Sequence, residues 1–273
     1  MRTKLLTFTA FLFISLGLVA TSHGRLDESL AAAWLFEDGI ADGMVSDLSG
    51  NGNDCEIIGD GVTIVDGKFG SAINISGEDN VDEDYLNCGA GESISGLKNF
   101  TLMFWFHTEF PDSTQPVLMK GVGGGEWGFN YSGRSNGFWN EISFDGTRMD
   151  LQRATTLVAG FTWYHGAFSF DGTTRRIYTN GALDNEVGVF LNEAPADGEI
   201  SATANPLLIG GWAHPAGNRF ASKASIDEAA VFNEALSQAD IESIMNNGLM
   251  GSGAVAVEPA GKLATTWGKI RSR

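Results

Sequence analysis

The chain has 273 residues, 17 basic against 34 acidic, for a formal net charge of −17. It therefore lacks the clustered Lys and Arg that hold nucleic-acid phosphates or an anionic membrane surface, which leaves neutral sugars, cationic partners and divalent cations. Gly is abundant (36), aromatics make up 11% and Pro is scarce (6). That mix excludes helical bundles, coiled coils and collagen and points to short strands joined by glycine turns.

At the N-terminus, Arg2 and Lys4 precede an apolar run from Leu5 to Ala20, followed by small residues at Ala20, Ser22 and Gly24. This reads as a secretory signal peptide over residues 1–24. The run is shorter than the ~20 residues of a spanning helix, and no later stretch is apolar enough, so the mature chain is expected to have no transmembrane span. A secreted or cell-surface location follows. Cys55 and Cys88 would then meet an oxidising compartment. They are either a disulfide or two buried thiols, because sequence alone cannot place their backbones close enough to bridge.

Strand signals begin with Leu30–Phe36, which ends in the turn signal Glu37-Asp38-Gly39. Residues 45–54 form a loop rich in Asp, Asn and Gly. Hard oxygens on a chain that can curl suit a calcium ion, and a tight turn in which Asp47 and Asn51 bond their own backbone suits the same residues. Gly70–Ser76 alternates. Phe100–Thr108 places Phe100, Leu102, Phe104 and Phe106 on one face and Thr101, Met103, Trp105 and His107 on the other, as in a strand inside a layered sandwich. Asp145-Gly146, Asp171-Gly172 and Asn180-Gly181 are turn signals, the last suited to a type I′ hairpin. Ser237 and Asp240 open a helix with an Ile241, Ile244, Met245 stripe, ended by Gly248. Gly251-Ser252-Gly253 reads as a linker into a basic tail that carries Lys262, Lys269, Arg271 and Arg273. The expected layout is a signal peptide (1–24), one domain (25–250), then linker and tail (251–273).

Seven segments in order resemble a laminin-G-like, concanavalin-A-like jelly-roll domain. They are Ala33-Trp34-Leu35-Phe36-Glu37, Asp47 to Asn53, Gly67-Lys68-Phe69-Gly70, Asn99 to Trp105, Trp163-Tyr164-His165 with Ile177 to Gly181, Leu207 to Gly211, and Ile226-Asp227-Glu228 through Phe232. The resemblance implies an all-β antiparallel sandwich with one short C-terminal helix. It also implies a structural calcium held by Asp47, Asn51, Asn53 and Asp227, with Glu37 as a further candidate. Trp34, Trp105 and Trp163 match core positions of the family. Trp127, Trp139 and Trp212 sit in or near glycine-rich loops and are the candidate contacts to a glycan or protein partner.

Catalytic patterns are absent from the sequence. Glycoside hydrolysis needs paired carboxylates, and no Glu-x-Asp-x-Glu strand occurs; Glu141 and Asp145 share a strand's spacing, but Asp145 belongs to a turn. His107, His165 and His214 lie on separate elements, no Gly-x-Ser-x-Gly elbow occurs, and Gly121–Gly125 lacks a phosphate-loop ending. Asn74, Asn99 and Asn130 begin glycosylation sequons. The expectation is a secreted, non-catalytic module that recognises carbohydrate or matrix glycans. The alternative is a protein-adhesion module for an extracellular or cell-surface partner.

Overall fold

The computed structural model describes residues 23–77, 84–121, 125–144, 147–148, 151–188, 200–213 and 219–255. Most of the predicted signal peptide, the Asp145-Gly146 turn, His214 and the tail from residue 256 lie outside the described residues.

Two antiparallel sheets pack face to face. The back sheet runs in the order Ala182–Gly188, Thr174–Thr179, Tyr164–Phe170, Phe100–His107, Lys223–Phe232, Ser71–Ser76, Val62–Asp66. Leu30–Trp34 also pairs with Lys223–Phe232. The front sheet runs Thr147–Arg148, Gly137–Phe144, Trp127–Ser132, Gln115–Lys120, Leu207–Ile209, Tyr85–Asn87, Cys55–Ile58, Met44–Val45. Gln152–Arg153 pairs with Gly137–Phe144. Gly211–Ala213 and Arg219–Ala221 form a separate hairpin. The expected sandwich with a late helix is the fold observed.

Alternation builds the core. Phe104 from the back sheet meets Phe129 (ring centroids 4.9 Å) and Phe138 (5.6 Å) from the front, and Phe106 stacks on Tyr131 at 5.1 Å. Such pairs add to plain area burial. The second apolar face of Phe100–His107 is explained by a smaller outer layer. There Met103, Ala167, Tyr178, Ala230 and Phe232 are covered by Ile241, Ile244 and Leu249 of a helix, α2 (Gln238–Gly251). Ser237 caps α2 by accepting from the Asp240 N–H. Leu26, from a helix α1 (His23–Ser29) that the sequence does not predict, packs in the same layer. Residues 251–255, predicted as the start of a linker, instead close the end of α2. The Ala254 and Val255 N–H groups donate to the Leu249 carbonyl, and both side chains are buried.

Asn180 and Gly181 both take positive φ, 50° and 78°, which the predicted type I′ hairpin requires. Cys55 opens the strand Cys55–Ile58 and Cys88 directly follows its partner strand Tyr85–Asn87; the two form a disulfide in the buried core, with Cα atoms 3.9 Å apart and a sequence separation of 33. A bridge that closes such a loop lowers the entropy of the unfolded chain. Replacing both cysteines with alanine is therefore expected to cost about 3 kcal/mol in chemical denaturation, with the strand order retained. An unchanged midpoint would show that the bridge carries no stability.

Candidate functional site

Five donors converge on the Asp47 carboxylate. Oδ1 accepts from the N–H groups of Ala33 and Ser49, both at 2.9 Å. Oδ2 accepts from the Ser49 hydroxyl, the Asn53 N–H and the Asn53 amide, at 2.9, 3.0 and 2.9 Å. Asn51 and Asn53 point their amide nitrogens at the Leu30 and Ala31 carbonyls. A calcium ion wants six to eight oxygens turned towards it. Here the oxygens already face protein donors, and the asparagines present N–H groups. The loop therefore does not fit the ion that the resemblance implies: Asp47, Asn51 and Asn53 form a hydrogen-bond hub that ties the loop to Leu30–Trp34.

Asp227 sits where Lys223–Phe232 bulges between Asp227 and Ala230, and Glu37 lines a small cavity with Val45, Ser46 and Leu48. Before the bulge this strand pairs with Ser71–Ser76, and after it with Leu30–Trp34. Glu228 takes a positive φ of 52° at the switch. Asp227 Oδ2 accepts from the Phe69 N–H at 2.9 Å, and its buried Oδ1 has no hydrogen-bond partner among the described residues. Gly67 permits this approach, since a Cβ there would lie 2.7 Å from Asp227 Oδ2. Glu37 Oε1 accepts from the Ser71 N–H at 3.3 Å across the same turn. Glu228 accepts from the Leu249 N–H and so ties the bulge to α2. Among the described residues, no three His, Cys, Asp or Glu side chains gather as a metal cluster, so a cation here would have to draw on backbone carbonyls as well. The free Oδ1 of Asp227 is what fits a cation.

Burial pushes the Asp227 carboxyl up to about 7, against the Phe69 N–H that lowers it and with the Glu228 charge that raises it further. Burial likewise pushes Glu228 up to about 7, with the Leu249 N–H opposing and the Glu37 charge adding. His165, fully buried against Trp105, is lowered to about 3 by burial and stays neutral.

The three candidate tryptophans separate. Trp127 is fully buried in the core, its Nε1 donating to the Ile94 carbonyl at 3.3 Å. This corrects its prediction as a ligand contact: strand alternation turns it inwards, where Phe100 packs near it. Trp139, one strand position from the inward Phe138, points to the outer face of the front sheet. There it lines a cavity of about 540 Å³ together with the half-buried Trp212 of the small hairpin. Trp139 is 8% exposed, and its Nε1 is buried with no hydrogen-bond partner among the described residues.

The cavity wall adds residues that the sequence does not single out: Asn130, Arg134, Arg153 and Asp112. Asn130 stands opposite Trp139 across the strand pair, and Arg153 opposite it on the other side. Asn130 Oδ1 accepts from the Val117 N–H at 2.8 Å, which fills the ladder gap where Gln115–Lys120 bulges. Being fully buried, Asn130 cannot carry a glycan in the folded chain. The Tyr131 hydroxyl donates to the Pro111 carbonyl at 2.5 Å and pins the loop at the cavity rim. Burial and the Asp112 charge push it up to about 12.

A sequence profile described as the concanavalin A-like lectin/glucanases superfamily matches residues 79–242. No curated protein matches the chain. In structure the chain is similar to the binding domain of Paraclostridial mosquitocidal protein 1, with a TM-score of 0.62 and 17% identity over 81% of this chain and 52% of that one. It is also similar to domain 4 of AbnA, a GH43 extracellular arabinanase from Geobacillus stearothermophilus, in complex with arabinotriose; the TM-score is 0.57, with 18% identity over 80% and 98%. A third similar structure is the binding domain of botulinum neurotoxin DC in complex with rat synaptotagmin II, at 0.55 and 14% over 81% and 52%. The chain spans about half the length of the two toxin binding domains, and at these identities the likeness shows the fold alone.

Two outcomes follow from the carboxylates. Asp47→Asn turns an amide towards donors and is expected to cost about 2–4 kcal/mol, equally with calcium and with EDTA; a loss seen only with calcium would return the loop to metal binding. At Asp227 the native state keeps a proton that the unfolded chain, at about 4, has released, so stability falls as pH rises between about 4 and 7. In calcium-free buffer Asp227→Asn should flatten the decline of Tm over that window. An identical slope in both proteins would mean that Asp227 does not titrate there.

Proposed function

The chain belongs to the concanavalin A-like lectin/glucanases superfamily, and from that premise we propose that it is a non-catalytic binding module that takes a neutral oligosaccharide in the Trp139–Trp212 cavity. The observation that carries this reading is that two indoles from distant segments, Trp139 and Trp212, line one cavity on the outer face of the front sheet. Indole faces hold the C–H surfaces of sugar rings, and the polar groups around them orient the hydroxyls. Arg134, Arg153 and Asp112 supply such groups. The volume suits a short oligosaccharide. The arabinotriose-bound arabinanase domain supports the same ligand class.

Against catalysis, among the described residues the strand Gly137–Phe144 carries one carboxylate, Glu141, on the face it shares with Trp139 and Ser143, where a strand-borne pair would suit glycoside hydrolysis; Asp112 comes to the cavity wall from a separate loop. Export through the predicted signal peptide is part of the reading, supported by the Cys55–Cys88 bridge. No helix among the described residues is long and apolar enough to cross a membrane. A structural calcium belongs at Asp227 and Glu37 rather than in the Asp47 loop. When bound it would neutralise the buried charge at the strand bulge and hold the Gly67–Gly70 turn against the last strand. A protein partner is the second reading, favoured by Leu157 and Phe161, which stand 69% and 70% exposed at one end of the sandwich, and by the receptor-bound toxin domain.

A glycan array probed with the chain, with calcium and again with EDTA, tests this function. Binding to neutral oligosaccharides is expected, weakened at least roughly tenfold by Trp139→Ala and by Trp212→Ala and unaffected by the exposed-site change Leu157→Ser. Silence of the folded protein on the array, together with capture of a protein ligand that Leu157→Ser and Phe161→Ser abolish, would replace the sugar reading with adhesion.

A further inference from the structure

The outer face of the back sheet is covered at one end by α2 and open at the other. At the open end lies a cavity of about 640 Å³, on the opposite side of the sandwich from the Trp139–Trp212 cavity. Its floor is a cross-strand row. His107 faces Ser225, and Ser225 faces Asn74 on the next strand. The Ser225 hydroxyl donates to Asn74 Oδ1 at 3.1 Å, which leaves the Asn74 amide hydrogens for another acceptor. In the next row Lys223 lies opposite Ser76 and holds its ammonium 5.3 Å from the ring centre of Phe110.

Trp163 makes the wall. The sequence resemblance marks it as a core position, yet it is only half-buried. Its ring stands 5.4 Å from that of His107, tilted by 44°, so one aromatic surface is left to the cavity.

The rim is built in advance. Buried Thr108 donates through Oγ1 to the Lys223 carbonyl at 2.7 Å, accepts the Phe110 N–H on the same oxygen at 3.0 Å, and accepts the Phe161 N–H on its carbonyl at 2.8 Å. One residue thus fixes the two loops that carry Phe110 and Trp163. A bulky residue at positive φ is strained, and Phe161, two positions before Trp163, has φ 63°. The local fold sustains that strain where it shapes the loop beside the cavity.

The charges select the ligand. Lys223 shares the cavity lining with the exposed Asp66 and Glu109. An anion would meet two carboxylates on a chain of net charge −17, and a cation would meet Lys223 in the wall. A neutral polyhydroxyl compound suits both signs, since carboxylates and amides bind hydroxyl hydrogens and the ammonium binds their oxygens, while Trp163 takes the C–H face of a ring. We propose that this cavity is a second saccharide site, on the sheet opposite the first, so that one domain engages two sugar units at once. Two weak sites on opposite faces would bridge neighbouring chains of a polysaccharide or raise avidity towards one. Sugar binding at Trp163 stands apart from the first cavity, because the two share no lining residue; the engagement of two sugars at once rests on the Trp139–Trp212 reading as well.

The test uses the full chain labelled with 5-fluorotryptophan, titrated to millimolar levels with neutral arabino-, xylo-, gluco- and galacto-oligosaccharides, with each fluorine resonance assigned through Trp→Phe variants. At least one of these sugars is expected to shift the Trp163 resonance, and the shift is expected to persist in Trp139→Ala. Calorimetry with that sugar should show that Trp163→Ala weakens this event at least roughly tenfold. Glu109→Gln, an exposed change that spares the fold, should weaken it measurably. A Trp163 resonance unmoved by every sugar in the folded chain would overturn the proposal. Loss of the Trp163 shift in Trp139→Ala would overturn it too, because the two tryptophans would then report a single site. Failure of the Trp139 cavity alone would leave the Trp163 response in place.

Discussion

The strand Lys223–Phe232 is the constraint on which the rest of the structure depends. It forms late in the chain, yet it sits at the centre of the back sheet between Phe100–His107 and strands from the first third of the sequence. Until it inserts, Leu30–Trp34 and Ser71–Ser76 have no common neighbour and the outer layer has no sheet to cover. Such long-range pairing carries a high closure cost before its contacts repay it. The bulge at Asp227–Glu228 lets one strand serve two partners on the same side, at the cost of a positive φ and two buried carboxylates.

Polar groups hold the loops that the strands leave behind. Asp47 organises one loop by accepting from its backbone and side-chain donors, and Glu228 reaches α2. The buried Lys120–Glu126 pair, at 3.0 Å, is satisfied further by Thr203, Asn205 and Ser95. A buried charge is tolerable only with such complete pairing, and each set ties a segment distant in sequence to the sandwich. The acidic loops of this protein therefore serve its architecture first.

The sandwich leaves a usable outer face on each sheet. On the front, alternation turns Trp139 outwards while Phe138 fills the core, and the small hairpin brings Trp212 to the same cavity. On the back, α2 covers one end and leaves the other open between His107, Trp163 and Phe110. The two cavities share an aromatic wall with mixed polar groups and differ in what holds their rims: the Tyr131 hydroxyl on one side and Thr108 on the other.

The sequence by itself determined the strand-rich sandwich. The period-2 pattern of Phe100–His107, the Asn180-Gly181 hairpin and the Ser237 cap with Gly248 ending the regular helix are local features, set by steric and hydrogen-bonding rules that act within a few residues. Its ordered motifs also placed the chain in its superfamily. Only the tertiary structure decided which residues meet. Trp127 and Trp139 look alike in sequence, and one strand's inward turn sends the first to the core. Asp47 and Asp227 look like ligands of one ion, yet each answers to different backbone donors, Asp47 to Ala33 and its own loop and Asp227 to Phe69. Trp163 fits a core motif but borders a cavity, since strand pairing and loop closure, not local pattern, fix which face of a sheet is covered.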